Sequence, residues 1–493
     1  MISDHGGISM KMTKKVLCVV LSVLLIATCA PMVFAADNEP FRINCAVNGS
    51  LATQRGITWF TNIDTATVVV YSDGTNEYTA EGTSSEWEGN FVHKVLLKDL
   101  EAGTTYTYKV GNGTVWSEEG SFTTDDGDDK AEMIVIADIQ ASSLENFEMG
   151  ATVVNKALEM YPENDLIVNL GDFTNDSTNE EWDFYDEALA EINRNTTIAP
   201  VSGNHDGLGV WNWFESMFNL NTKESVQNLN GVNYSFDYGN IHCAVLNTND
   251  LLSITDAQLL WLENDMNSTA CDWKMVFMHK SPYTLGKDGK WPDALYLKDA
   301  LVPVLDKCNV DIVMSGHDHM YLRTKTLKGD AVAEDGDGTV YVLAGTAGSK
   351  RYEIREFLQE HFMPVSYIDA CVVQKDGYGN YFNGTDFESV DENNIGGIFN
   401  HISVDGGTLV LESYVVGDAT GEATLVDTMT ITKATGENVP TYEGGNTTNE
   451  LLYYIGTPLS LAKLAFYTLT EWLFKFLGML PDLLRVYGET GTF

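Results

Sequence analysis

Asp138, Asp172, Asn204, His279, His317 and His319 carry the oxygen and nitrogen donors that hold a transition-metal ion, and each stands just past a short apolar run. Ile134-Val135-Ile136 leads into Asp138-Ile139-Gln140, and Ile167-Val168-Asn169-Leu170 leads into Gly171-Asp172. Ile198-Ala199-Pro200-Val201 leads into Gly203-Asn204-His205-Asp206. Lys274-Met275-Val276-Phe277-Met278 leads into His279, and Asp311-Ile312-Val313-Met314 into Gly316-His317-Asp318-His319. Carboxylate, amide oxygen and imidazole together suit Mn, Fe or Zn better than Ca or a thiolate-seeking metal. A carboxylate can bridge two such ions. The pair can deprotonate a bound water and clamp both ends of an in-line phosphoryl displacement. A lone Gly-Asp is usually a turn, and a lone Asn-His or His-x-His is usually structural. The specific signal is the full set, in this order, each at the end of an apolar run.

Strands that alternate with helices must position these residues. In open α/β sheets, sites form beyond the carboxyl ends of the strands, so neighbouring strands bring all these side chains to one edge. The glycines beside the donors permit tight strand-to-loop turns. Phe147, Val154, Ala157 and Leu158 have helix-like spacing between the first two runs. The alternation predicts a layered α/β domain over 131–433, closed by strand-like Ala423 to Ile431. Before it, 41–125 holds short β-branched and aromatic runs, such as Ile57-Thr58-Trp59-Phe60 and Tyr106-Thr107-Tyr108-Lys109-Val110. Turns such as Asp73-Gly74 and Asn112-Gly113 separate them, which predicts a β-sandwich. Asp125 to Asp129 reads as a charged linker.

The donor order resembles that of the calcineurin-like metallophosphoesterases, and the purple acid phosphatases in particular. Tyr234-Ser235-Phe236-Asp237-Tyr238-Gly239-Asn240 and Gly316-His317-Asp318-His319-Met320-Tyr321-Leu322-Arg323 resemble segments of that family. The N-terminal module resembles its fibronectin III-like domain through His93 and Leu100 to Tyr108. The likeness runs from about Phe41 to Lys433, with an expected insertion near Tyr352 to Asn400. It implies a four-layer αββα catalytic domain behind an all-β sandwich. It also implies two transition-metal ions (Fe, Mn or Zn). Asp138, Asp172 and His319 would hold the first, and Asp172, Asn204, His279 and His317 the second. The catalytic candidates are His205 and its neighbour Asp206. His205 would protonate the leaving oxygen or stabilise the transition state, and a metal-activated hydroxide would attack. Two positions depart from the purple pattern. Asn175 stands where the family has a tyrosine ligand, so no purple colour is expected. Gln140 stands where the wider superfamily has a histidine ligand; its neutral oxygen is a poorer donor and favours a divalent pair over Fe(III). Asn175, Tyr283, Lys350 and Arg351 are the substrate-binding candidates. Lys350-Arg351 could equally be a solvated turn. Trp211 and Trp213 form either an apolar wall or core.

The remaining sequence bounds the setting. The chain has 493 residues with 71 Asp+Glu against 29 Lys+Arg, a net charge of −42. Such a surface repels nucleic acid, so no nucleic-acid partner is expected. Lys11, Lys14, Lys15 and the apolar Val16 to Ala27 read as a signal peptide over 1–35 and a secreted protein. An uncleaved anchor or a lipoprotein at Cys29 are the alternatives. Removal leaves five cysteines, Cys45, Cys243, Cys271, Cys308 and Cys371, which allow one bridge but make no disulfide framework. A Gly/Thr/Asn-rich linker at 434–449 precedes an apolar, amphipathic helical segment at 450–487. That segment packs on the chain or a second copy, or lies on a membrane surface. Hydrolysis of phosphomonoesters is the first expectation. A phosphodiesterase or nucleotidase, and a non-catalytic surface-binding protein with a degenerate phosphatase fold, are the alternatives.

Overall fold

The computed structural model describes residues 38–207, 213–222, 232–249, 253–286, 292–354, 363–375, 378–382, 387–390 and 395–436. The expected leader, the helical segment at 450–487 and nearly all of the linker at 434–449 lie outside the described residues. No described helix is long and apolar enough to cross a membrane.

The N-terminal unit contains β1 (Phe41–Ala46), β2 (Arg55–Thr61), β3 (Val68–Ser72), β4 (Glu77–Glu81), β5 (Thr83–Trp87), β6 (Asn90–Leu97), β7 (Thr105–Gly111) and β8 (Gly120–Thr123). Strand β7 alternates strictly: Tyr106, Tyr108 and Val110 are buried while Thr105, Thr107 and Lys109 face out. The buried set meets Ile57, Trp59, Val95 and Leu97 of the facing strands to form a sandwich core. One face is the sheet β4-β3-β7-β8. The other, β1-β2-β6-β5, does not stop at the unit's border.

The second unit opens with β9 (Lys130–Ile136), α1 (Leu144–Met160), β10 (Leu166–Asn169), α2 (Asn179–Asn195), β11 (Thr197–Pro200) and the short α3 (Trp213–Met217). A second series follows: β12 (Tyr234–Tyr238), β13 (Ile241–Leu246), α4 (Asp256–Ser268), β14 (Trp273–Met278), α5 (Pro292–Cys308) and β15 (Ile312–Ser315). Then come β16 (Tyr321–Thr324), β17 (Leu327–Lys328), β18 (Ala331–Val332), β19 (Val340–Ala344), β20 (Ile368–Lys375), β21 (Tyr378–Phe382) and β22 (Phe387–Val390). The long strands β23 (Gly396–Asp405), β24 (Thr408–Gly417) and β25 (Ala423–Thr432) finish the fold.

Two sheets result, β25-β24-β23-β9-β10-β11-β1-β2-β6-β5 and β12-β13-β14-β15-β19-β16-β20-β21-β22. In the second sheet Cys243, Val245, Met275, Phe277, Ile312 and Met314 face the first. Their neighbours Ala244, Leu246, Val276, Met278 and Val313 pack against Trp261, Leu262, Leu297, Leu301 and Leu305 of α4 and α5. Helices α1 and α2 cover the first sheet's other face through Phe147, Val154, Trp182 and Tyr185. The four layers are therefore αββα. Strands buried on both faces need no polar side, which is why they read as unbroken apolar runs. Helix α2 starts with a capping box between Thr178 and Glu181 and carries Arg194 in its last turn.

Two features differ from the sequence reading, and the cysteines agree with its expectation of no disulfide framework. Strand β1 pairs in parallel with β11 at Ala46↔Ile198, so the sandwich shares a sheet with the second unit across the expected linker. The pairing covers two sheet edges that would otherwise be exposed, and it leaves no mark in either strand's own pattern. The insertion ends before Gly396, because Asn400 lies inside β23, where its amide donates to Val135 O and Ala344 O. All five described cysteines are free thiols.

Candidate metal centre

The strand ends are level. Asn169 pairs with Ile136 and Pro200, and Met278 pairs with Ser315. The loops leaving them must turn at once, and they do so through left-handed backbone. Asp138, Gln140, Asp172 and His317 have φ of 53°, 40°, 54° and 72°. Such conformations cost a non-glycine residue of order 1–3 kcal/mol each and gather where the surrounding fold enforces them. Gly203 is required for a different reason: a Cβ there would lie 2.1 Å from Asp172 N and 2.2 Å from its Oδ1.

Two donor groups form. One contains Asp172, His279 and His317, the other Asp138, Asp172 and His319, each with ligand atoms within 4.8 Å of one another. Asp172 belongs to both. Around His279 Nε2 lie Asn204 Oδ1 at 3.0 Å, His317 Nδ1 at 3.2 Å and Asp172 Oδ2 at 3.3 Å. His319 Nε2 lies 3.6 Å from Asp138 Oδ1. These lone pairs point at one another with Asp138, His279 and His319 buried. Buried acceptors converging in this way need a cation between them, so the residues fit a metal pair.

The backbone fixes the ring orientations. His279 Nδ1–H donates to Leu170 O at 2.9 Å, and His319 Nδ1–H donates to Lys350 O at 2.5 Å. Each bond leaves Nε2 as the ligating nitrogen. His205 follows the same rule: its Nδ1–H donates to Asn175 O at 2.5 Å, while its amide donates to Asp172 Oδ1 at 2.9 Å.

The electrostatics match. Burial pulls His319 down to about 3 and holds His317 well below its usual range, so both stay neutral and able to ligate. Burial also pushes Asp138 well up. Burial acts upward on Asp172 too, but His279, His205 and His317 overcome it and keep the carboxyl ionised. For His279 burial acts downward, and Asp172 and Asp138 outweigh it, holding the ring up to about 9. Without a metal the cluster binds a proton at His279; a cation serves the same carboxylates.

Residues 132–321 match the calcineurin-like phosphoesterase family, and residues 40–124 match the purple acid phosphatase N-terminal domain. Over residues 132–321 the chain is similar to the calcineurin-like phosphoesterases. Among curated proteins it is similar to purple acid phosphatase 23 of Arabidopsis thaliana, 23% identical over 317 residues, covering 56% of this chain and 65% of the relative. It is also similar to probable inactive purple acid phosphatase 1 of the same plant, 25% identical over 310 residues, covering 52% and 49%. The chain thus spans less than two thirds of these relatives' length. Among solved structures, a purple acid phosphatase from yellow lupin (Lupinus luteus) seeds shares the fold with a TM-score of 0.61 and 18% identity, over 80% of this chain and 75% of that one. PhoD shares it with a TM-score of 0.60 and 11% identity, over 89% and 99%.

The chain's other candidates are placed unevenly. Asp206 is fully buried and accepts from the amides of Asp172, Phe173 and Gly203 at 2.9, 2.7 and 2.7 Å. These three bonds tie the Asp172 and Gly203 loops together. Burial and the neighbouring Asp172 raise Asp206 to about 7. Asn175 turns its amide to Asp176 Oδ2 at 2.9 Å, so only its carbonyl serves the site, through His205. Gln140 Oε1 accepts from Lys350 Nζ at 2.9 Å, so in this structure its oxygen faces an ammonium. Arg351 forms a fork with Asp418 at 2.7 and 2.9 Å. Tyr283 is buried, bonds Asp330 at 3.0 Å and stacks with Tyr341, so it belongs to the second core. Trp213 packs edge-on against Trp87 beneath the Arg42 guanidinium, which makes it core at the junction; Trp211 lies outside the described residues. Sequence reasoning missed Leu170 O, Lys350 O and Asn175 O, because a carbonyl has no residue signature. It also missed Thr346, whose hydroxyl donates to Asp138 O at 2.7 Å.

Proposed function

We propose that this chain hydrolyses phosphate esters, phosphomonoesters first, with a pair of divalent cations. The observation that carries the reading is the bridge: Asp172 is the one carboxylate common to two donor groups, with His205 tied to it by the backbone. Asp138, Asp172 and His319 would hold one ion, and Asp172, Asn204, His279 and His317 the other. When bound, such a pair supplies Lewis acidity and an activated water. The chain's own residues supply position and a proton. Leu170 and Lys350 hold the imidazoles in the ligating tautomer. Asn175 accepts from His205 Nδ1–H, and in the imidazolium form the second proton, on Nε2, is the one passed to the leaving oxygen. We further read residues 1–35 as a secretion leader, which places the reaction outside the cell.

The test uses chelated protein reloaded with Mn, Zn or Fe(II) and offered p-nitrophenyl phosphate and its bis-ester. Turnover of the monoester that disappears on chelation is expected. Faster turnover of the bis-ester would favour a diesterase. Two bound ions with no turnover of either ester would favour a non-catalytic binding protein, the condition that the name of one relative describes.

A further inference from the structure

The segment from Trp213 to Asn219 is fastened to the N-terminal unit at several points. Lys94 Nζ on β6 donates to the carbonyls of Glu215 and Phe218, the latter at 3.1 Å. Asn219 Nδ2 donates to Val95 O at 2.9 Å, and Asn219 O accepts from Asn48 Nδ2 at 2.7 Å. Gly56 on β2 leaves room for that carbonyl, since a Cβ there would lie 2.0 Å from it. Trp87 of β5 meets Trp213 edge-on at 5.9 Å.

The same segment is fastened to the donor loops. Trp213 N donates at 3.0 Å to the carbonyl of Gly207, which closes the His205 loop. Phe214 and Phe218, both buried, pack against Phe173 with ring centroids 6.2 and 5.3 Å apart. Phe173 lies on the loop 172–175, and His205 bonds to that loop twice: its amide donates to Asp172 Oδ1 and its Nδ1–H to Asn175 O. A continuous path of hydrogen bonds and packed rings therefore runs from the sandwich through Phe214, Phe218 and Phe173 to the imidazole. Energetic coupling between distant parts of a fold can be carried by such contacts.

We infer that Lys94 is a positioning residue: through this path the N-terminal unit sets the place of the His205 imidazole against the leaving oxygen. The inference rests on the phosphoesterase reading and deepens it, because it gives the sandwich a part in the proton-transfer step. The metal donors have anchors of their own. Leu170 O holds His279, Lys350 O holds His319, and Asp206 holds the amides of Asp172 and Gly203. A shift of the Phe214 and Phe218 rings therefore falls on His205 more than on the ions.

The test compares wild type, K94M, K94R and N219A as the metal-loaded full chain. The substrates are p-nitrophenyl phosphate, whose leaving group departs with little help, and an alkyl phosphate, whose alkoxide needs the proton. K94M and N219A should lower kcat for the alkyl ester about tenfold, part of the roughly 10²-fold that a misplacement of about 1 Å can cost. The p-nitrophenyl ester should lose no more than about twofold, because its departure depends less on the acid. KM and the content of bound metal should match wild type. K94R keeps donors for both carbonyls and should recover most of the alkyl-ester rate. Equal losses on the two esters, or a fall in metal content, would make the clamp a general structural support and overturn the inference. Hydrogen exchange on the same proteins without substrate separates this result from the phosphoesterase reading. The amides of 172–175 should exchange about fivefold faster in K94M, while those of β7 keep the wild-type rate. Unchanged exchange at 172–175 would overturn the inference whatever the turnover. Faster exchange there in a protein that hydrolyses neither ester would support the coupling and overturn the phosphoesterase reading instead.

Discussion

The site's chemistry depends on which nitrogen of each ring carries a proton. Three backbone carbonyls settle this: Leu170 for His279, Lys350 for His319 and Asn175 for His205. The ligand types were legible in the sequence because aspartate, asparagine and histidine at strand ends have few other joint uses. The carbonyls were not, since every residue has one. Asp206 shows the same limit: its motif marks it as important, but only its three amide contacts show that it braces the loops of Asp172 and Gly203. His205 is tied to the Asp172 loop without standing among either donor group. His205→Ala should therefore lower kcat by roughly 10²–10⁴ for an ordinary monoester, the usual scale of general acid catalysis. Its metal content should stay at the wild-type level, and a substrate with a very good leaving group should lose less. Loss of metal from this variant, read by elemental analysis, would reassign the residue.

Elements carry these residues to one edge, and the apolar runs made the central strands legible because both faces are buried. Pairings at sheet edges were less legible. The β1–β11 contact rests on one register pair, and the extension β20-β21-β22 fell within a segment that the sequence marked only as an insertion. Ion pairs between elements were also hidden. His242 on β13 meets Asp237 of β12 at 2.6 Å and Asp265 of α4 at 2.9 Å. Burial works against the charge, yet Asp265 and Asp237 overcome it and hold the ring up to about 10, above the ordinary 6.5. A raised pKa in the folded state gives stability that is complete below the unfolded value and fades as pH climbs to the folded one. Wild type should thus exceed His242→Gln in melting temperature at pH 6, by about 2–4 °C for each kcal/mol of lost interaction. The gap should narrow steadily between pH 6.5 and about 10. A gap that widens with pH in thermal melts would show that His242 is neutral in the fold.

At the scale of the whole molecule, the sandwich and the catalytic layers form one continuous structure. Arg42 of β1 is buried against α2, where it donates to Asp183 at 2.6 Å and to Asn179 O at 2.8 Å. Lys94 of β6 donates to the carbonyls of Glu215 in α3 and of Phe218 just after it, and Asn219 Nδ2 donates to Val95 O at 2.9 Å. The N-terminal unit therefore braces the segment that follows the His205 loop, a coupling that composition and periodicity could not show. As proposed, this frame would hold two cations on a shared carboxylate and use both. The most direct measurement is a titration of chelated protein with Mn or Zn in which bound ion and p-nitrophenyl phosphate turnover are read on the same sample. Turnover should rise with loading and level off close to two ions per chain, the number the two donor groups define. A plateau at one ion, or full turnover with none bound, would contradict the claim.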